Sequence, residues 1–141
     1  MTTDLPLILE PIGRVVEGFS SKEEAPKQGR LVNRRAVIEL VPELAPGLEG
    51  LKPGSWIWIL LWFHQARPAT LTVHPGGDQK RPRTGLFNSR SPNRPNPLGL
   101  DLGRLESIRG NTLVVSGMDA IRETPVLDIK PYLKDLDRPE G

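Results

Sequence analysis

The sequence predicts an all-β fold: a single small β-barrel of about six to seven strands joined by proline-rich loops. Three observations carry that expectation. Short apolar runs with period-two alternation recur along the chain, each bounded by glycine or proline. Almost no segment shows the 3.6-residue apolar period of an amphipathic helix. The 141 residues include 15 prolines and 14 glycines, which suit tight turns between strands and break helices. The length is that of one domain, and 37% hydrophobic content is enough to bury a core. The expected domain covers residues 7–134, with 135–141 as a charged C-terminal tail that frays.

In chain order, Leu7 to Val16 reads as a first strand interrupted by Pro11. Gly18 to Gly29 is a polar loop containing Pro26, Lys27 and Gln28. Arg35 to Val41 alternates, with Ala36, Ile38 and Leu40 on one side, as a strand with one buried face does. Glu43 to Leu51 fits a short helix or turn before Pro53-Gly54. Ser55 to Phe63 is an unbroken apolar run that reads as a strand buried on both faces, with its three tryptophans in the core. His64 and Gln65 stand at its end. Ala69 to His74 alternates again and closes on the turn Pro75-Gly76-Gly77. Leu98 to Ile108 is a core strand with leucines at 98, 100, 102 and 105. Arg109-Gly110-Asn111 turns it into a hairpin partner, Thr112 to Ser116. Met118 to Pro125 is a second polar loop, and Val126 to Lys130 a last short strand.

The most unusual stretch lies at residues 81–105. It sets Pro82, Pro92, Pro95 and Pro97 beside Gly85 and Gly99, with Arg81, Arg83, Arg90 and Arg94 between them. No acid occurs from Gln79 to Leu100. Proline fixes φ and restricts the residue before it, so this is a stiff loop with little ordering entropy left to lose. A rigid, cationic loop rich in donors suits a carboxylate, a phosphate or a nucleotide edge. The competing reading is a basic proline-rich linker.

Several chemistries are excluded or disfavoured. The chain has no cysteine, which removes disulfides, thiol nucleophiles and cysteine-based zinc sites and fits a reducing compartment. His64 and His74 are the only histidines, and no HExxH or carboxylate cluster surrounds them, so no metal is expected. No GxSxG elbow, Walker A loop or GxGxxG fingerprint is present. The N-terminus lacks the basic region and cleavage site of a signal peptide, and the longest apolar run is too short to span a membrane as a helix. With a net charge of +2, the positive field is local to the proline-rich stretch and favours an anionic ligand or RNA at one face.

The segments FHQ (63–65), RTGLFNSRSPNRPNPLGL (83–100) and TPVLDIKPY (124–132) resemble the signatures of the TrmO, or TsaA-like, family. The similarity extends to PIGRV near residue 11 and to the PKQ loop. It implies a single β-barrel used as a cytoplasmic homodimer. It implies S-adenosyl-L-methionine as cofactor and N-methylation of threonylcarbamoyl-adenosine beside the tRNA anticodon as the activity. The family's cofactor contacts fall on Pro26, Lys27, Gln28, His64, Gln65, Arg90, Leu98, Arg122, Glu123, Thr124 and Pro125. The sequence departs from the family where Arg is frequent in place of Lys27 and Asp-Gly in place of Arg122-Glu123. In this frame Arg90 holds the cofactor carboxylate. Asp128 and Tyr132 resemble, at one residue's difference in spacing, the Asp-Pro-Pro-Tyr motif of amino-methyltransferases, and are the candidate catalytic pair. The competing role for Asp128 is a structural ion pair with an arginine of the proline-rich loop. Arg81, Arg83, Arg94 and Lys130 are candidates for tRNA phosphates. Two rival functions remain open: a family methyltransferase with another acceptor, and a non-catalytic RNA-binding barrel.

Overall fold

The computed structural model describes residues 6–18 and 35–140. Eight strands occur among them: β1 (Gly13–Glu17), β2 (Arg35–Leu40), β3 (Trp56–Trp62), β4 (Thr72–Val73), β5 (Thr84–Gly85), β6 (Leu98–Arg109), β7 (Thr112–Ser116) and β8 (Pro125–Pro131). Six of them close a barrel in the order β1-β2-β7-β6-β3-β8, and β4 and β5 pair separately. Every neighbouring pair is antiparallel. Closure removes the free sheet edges on which such strands aggregate. The all-β barrel expectation is met.

β3 is the most heavily paired strand, hydrogen-bonded to β6 along its whole length and to β8 along most of it. Its apolar run nonetheless has two different faces. Ile57, Ile59 and Leu61 are 0% exposed and point into the barrel. Trp58, Leu60 and Trp62 are half-buried on the outside, and Trp56 is exposed. The expectation that this strand is buried on both faces, with the tryptophans in the core, is therefore corrected. A strand of a closed single-layer barrel has one interior face, and six strands leave an interior that fits isoleucine and leucine rather than three indoles.

β6 needs the same correction. Leu98 and Leu100 are exposed and Leu102 half-buried, while Gly99, Asp101, Gly103 and Leu105 alternate on the inward side. The reason is steric. A Cβ on Gly99 would lie 2.3 Å from the Phe63 ring, and one on Gly103 would lie 2.4 Å from Val115 Cγ1. Glycine lets the aromatic ring and the neighbouring strand close over β6. Because β3 and β6 pair Trp58 with Leu102, Leu60 with Leu100 and Trp62 with Leu98, the outside of the barrel carries a stripe of three apolar cross-strand pairs.

Other boundaries moved for local reasons. The first strand begins at Gly13, not Leu7, since Pro11 has no N–H to give to a ladder. Of Ala69 to His74 only Thr72–Val73 is strand, and it pairs with β5 of the proline-rich stretch rather than with the barrel. The stretch at Glu43 forms a 3-10 turn, Pro42–Leu48. The tail does not simply fray: Lys134–Asp137 forms one helical turn, α1. Asp137 Oδ2 accepts from Trp58 Nε1 (3.0 Å) and from the Leu133 N–H (2.8 Å). Those two donors hold the Asp137 carboxyl below the usual carboxylate range.

Candidate functional site

Antiparallel pairing decides what lies at each mouth of the barrel. β3 ends, and β6 and β8 begin, at the same mouth, because Trp62 pairs with Leu98 and Leu61 with Val126. β7 ends there and β2 starts there, since Arg35 and Arg104 both pair with Ser116. β1 runs towards it, with Arg14 opposite Pro125. His64, Gln65, Leu98 and the loop Arg122–Pro125, far apart in the sequence, thus come to one mouth. Pro26, Lys27 and Gln28 lie outside the described residues.

The proline-rich loop is braced over this mouth by its own side chains. Arg94 Nη1 donates to the carbonyls of Ser89 (3.0 Å) and Ser91 (3.1 Å), and its guanidinium lies 5.8 Å from the Phe87 ring centroid. Ser89 Oγ donates to Leu86 O at 2.7 Å, and Asn93 Oδ1 accepts the Arg67 N–H at 2.8 Å. The Phe63 N–H donates to Pro97 O at 2.8 Å, which ties the loop to the end of β3. Half-buried Arg94, a candidate for phosphate, is engaged in holding the loop's shape. Arg81, Arg83 and Arg90 are exposed.

On the opposite side of the mouth, the Glu123 N–H donates to Val15 O (2.7 Å) and the Val15 N–H to Thr124 O (2.9 Å). Buried Thr124 gives its hydroxyl to Ile121 O at 2.6 Å. Glu123 has φ 74°, the single non-glycine residue with positive φ among those described. A side chain there costs about 1 kcal/mol or more of strain. Arg14 Nη1 lies 2.7 Å from Glu123 Oε2, an exposed ion pair that offsets little of it.

The candidate catalytic pair lies elsewhere. Asp128 sits on the outer face opposite Leu60, half-buried, with its Oδ2 3.7 Å from Lys130 Nζ. Its ionic neighbour is thus a lysine two residues on, also a phosphate candidate, and not an arginine of the loop. Tyr132 gives its N–H to Trp56 O at the far mouth, and its ring centroid is 6.1 Å from that of Trp58. Trp56 and Trp62 are six strand steps apart, about 20 Å. Within one chain, Tyr132 is therefore a strand length from Leu98.

Two site residues had no signal in the motifs. Asp101, on the inward face of β6, and Asp119, in the loop after β7, lie close enough for their carboxyls to act on each other. Asp101 Oδ2 and Asp119 Oδ1 are buried without a protein donor. Burial first, then the Asp119 charge, pushes the Asp101 carboxyl up to about 8, against a lowering by the Asp119 N–H and, least, by Arg90. Burial likewise raises Asp119. Asp101 is the first acid after the acid-free run, and the parity that turns Leu98 and Leu100 outward turns it inward. Among the described residues, no group of three or more metal-ligating side chains comes together, and no helix is long and apolar enough to cross a membrane.

The comparisons agree with the fold. A probable S-adenosyl-L-methionine-binding protein of Methanothermobacter thermautotrophicus is 40% identical over 135 residues, which are 96% of each chain. The rat tRNA (adenine(37)-N6)-methyltransferase is 37% identical over 96% of this chain, which spans 33% of that protein. The crystal structure of TrmO from Pseudomonas aeruginosa superposes with a TM-score of 0.78 at 36% identity, covering 96% of this chain and 60% of that one. Residues 15–138 match the family described as the tRNA-methyltransferase O N-terminal domain. With that match and these relatives, the chain belongs to the tRNA-methyltransferase O family, as a β-barrel of its N-terminal domain type.

Proposed function

We propose that this chain is an S-adenosyl-L-methionine-dependent methyltransferase that acts on the N6 amine of a tRNA adenosine, the threonylcarbamoyl-adenosine beside the anticodon, and that it works as a cytoplasmic homodimer. The observation that supports the reading is the convergence of His64, Gln65, Leu98 and Arg122–Pro125 on one mouth, to whose β3 end the loop carrying Arg90 is tied at Pro97. The donor set suits the cofactor. Arg90 is an exposed guanidinium on a stiff loop and matches a carboxylate bidentately. Leu98 offers apolar surface beside it for a base. The bound cofactor supplies a methyl group on a sulfonium, transferred by in-line displacement. The chain's own task is then alignment, which can supply much of the rate. The rigid loop serves that alignment, because its prolines and the Arg94 brace leave Arg90 few directions to take. Exposed Arg81 and Arg83 serve the tRNA backbone.

A homodimer is supported by the outer stripe. Leu98 is 45% and Leu100 50% exposed, and they adjoin Trp62, Leu60, Trp58 and Leu102. A contiguous apolar face of this kind favours self-association. An antiparallel pairing of two stripes carries the Asp128–Tyr132 region of one copy towards the Leu98 mouth of the other. That arrangement gives the candidate catalytic pair, Asp128 and Tyr132, a route to the cofactor. Light scattering should give twice the 15.6 kDa chain mass, and Leu100→Glu should give the single mass. A wild-type monomer at micromolar concentration sinks the dimer.

The function is tested by calorimetry and a methyl-transfer assay. The wild type should bind S-adenosylmethionine, and Arg90→Ala should weaken it by about 1.5–3 kcal/mol, the scale of a charge-assisted hydrogen bond. Transfer should occur to tRNA that carries the threonylcarbamoyl group and not to tRNA that lacks it. Reversing Arg81 and Arg83 to Glu should cut tRNA affinity and flatten its salt dependence while cofactor affinity stays near normal. Cofactor binding with transfer to neither tRNA would favour another acceptor. Salt-dependent RNA binding without cofactor binding would favour a non-catalytic barrel.

A further inference from the structure

Among the described residues, the most exposed aromatic side chain is Phe87, 79% exposed. It belongs neither to the barrel core nor to the candidate cofactor contacts. Several bonds hold it in place. Phe87 is the middle residue of a 3-10 turn, Leu86–Asn88, that follows β5. Its neighbour Leu86 is buried and anchors the turn, and the tight winding sends Phe87 another way, into solvent. The Leu86 N–H donates to Leu71 O at 2.9 Å, and the Ser89 N–H donates to Leu86 O at 3.1 Å. Asn88 Nδ2 donates to Thr84 Oγ1 at 3.0 Å. The turn is thereby pinned to the β4–β5 pair. The Arg94 guanidinium, fixed by the Ser89 and Ser91 carbonyls, lies over the ring. At 79% exposure, most of the rest of the ring meets water.

A single exposed phenylalanine would mean little by itself. Its surroundings give it meaning. It stands in the run from Gln79 to Leu100 that contains no acid, with Arg81, Arg83 and Arg90 exposed in the same run. An apolar protein partner would be matched by an apolar rim. A rigid ring among cations, with no carboxylate in its own loop, matches a polyanion that also carries flat π-faces, which is the chemistry of RNA. A duplex keeps its base faces inside its own stack, so only an unpaired base can offer one.

We propose that Phe87 is a stacking platform for an unpaired base of the RNA substrate, beside phosphates held by Arg81 and Arg83. The proposal rests on the tRNA reading above and adds a base contact to it. Arg81 and Arg83 hold a phosphate backbone without regard to base. Phe87 distinguishes an unstacked loop from a helix. The Arg94 brace fixes the ring's angle before the RNA arrives, so less ordering entropy is lost on binding. Because every base has a π-face, the platform tolerates changes of sequence.

Fluorescence anisotropy with the full chain tests this, using labelled oligouridylate and, beside it, duplex RNA. Phe87→Leu keeps an apolar side chain and removes the π-face. It should melt with the wild type, since the side chain is exposed. It should weaken oligouridylate binding about tenfold, the scale of one stacked base. The slope of affinity against salt should not change, because no phosphate contact is lost. Duplex binding and S-adenosylmethionine affinity should not change either, and Phe87→Tyr should behave as the wild type. A thiouridine in the RNA should crosslink to Phe87 under ultraviolet light. Equal oligouridylate affinity for wild type and Phe87→Leu overturns the inference, as does a wild type that binds no oligouridylate at any salt. A loss of S-adenosylmethionine affinity in step with RNA affinity overturns it too, because the ring then acts by shaping the loop that carries Arg90. So does a halved mass for Phe87→Leu in light scattering, which puts the ring between two copies of the chain. Failure of the wild type to bind S-adenosylmethionine overturns the methyltransferase reading instead, and the RNA measurements, made without cofactor, still decide the role of Phe87.

Discussion

Ile59→Ala should lower the unfolding free energy by about 2–5 kcal/mol, measured by urea denaturation at neutral pH. Ile59 is 0% exposed and lies in the strand that pairs on both sides, opposite Asp101 on β6 and Ile129 on β8. The glycine at 103 brings β6 close enough that an added Cβ there would sit 3.4 Å from Ile59 Cδ1. A closed barrel cannot collapse around the lost volume without bending hydrogen-bonded strands, so most of the cavity should persist. Leu71→Ala is the control: Leu71 is 73% exposed and should change stability by less than about 0.5 kcal/mol. Equal effects of the two substitutions would show that the assigned inward face of β3 is wrong.

Asp101→Asn should stabilise the protein, and more so at higher pH. The Asp101 carboxyl is raised to about 8 in the folded chain, so the folded state holds a proton that the unfolded state has released. A raised carboxyl contributes its stability fully below the unfolded value near pH 4 and loses it as pH rises through about 8. Asparagine keeps the shape, can donate to Asp119 and never ionises. Thermal melts should show the two proteins nearly alike near pH 4 and the variant ahead by on the order of 2–4 kcal/mol at pH 8. A gap independent of pH would mean that the Asp101 carboxyl is not raised in the folded protein.

Much of the barrel was legible because its strands are local patterns. Thr112–Ser116 follows from the Arg109-Gly110-Asn111 turn, and Arg35–Leu40 from one-sided alternation with Ala36, Ile38 and Leu40 buried. Which face of an all-apolar strand looks inward is not local. In SWIWILLWF both faces are hydrophobic, so hydrophobicity cannot choose between isoleucines and tryptophans. The volume of a six-stranded interior chooses. Leu98, Leu100 and Leu102 misled for the same reason, since the inward positions between them hold glycines at 99 and 103 that a hydrophobic pattern scores as gaps. The change of spacing from Leu102 to Leu105 was the visible sign of that parity.

By itself the sequence determined the class of fold, the stiffness and charge of the 81–105 loop, and the family motifs that name the candidate site. These depend on φ restriction, side-chain periodicity and residue identity, all properties of neighbours in the chain. Only the tertiary structure decided that His64, Leu98 and Arg122–Pro125 share a mouth, since antiparallel register across six strands puts them there. It also decided that Arg94 braces the loop, that Tyr132 sits a strand length away, and that Asp101 faces Asp119. The physical reason is common to all of these. Burial, desolvation and the pairing of charges are set by which distant segments meet, and two aspartates eighteen positions apart in sequence act on each other only because the closed barrel brings them together.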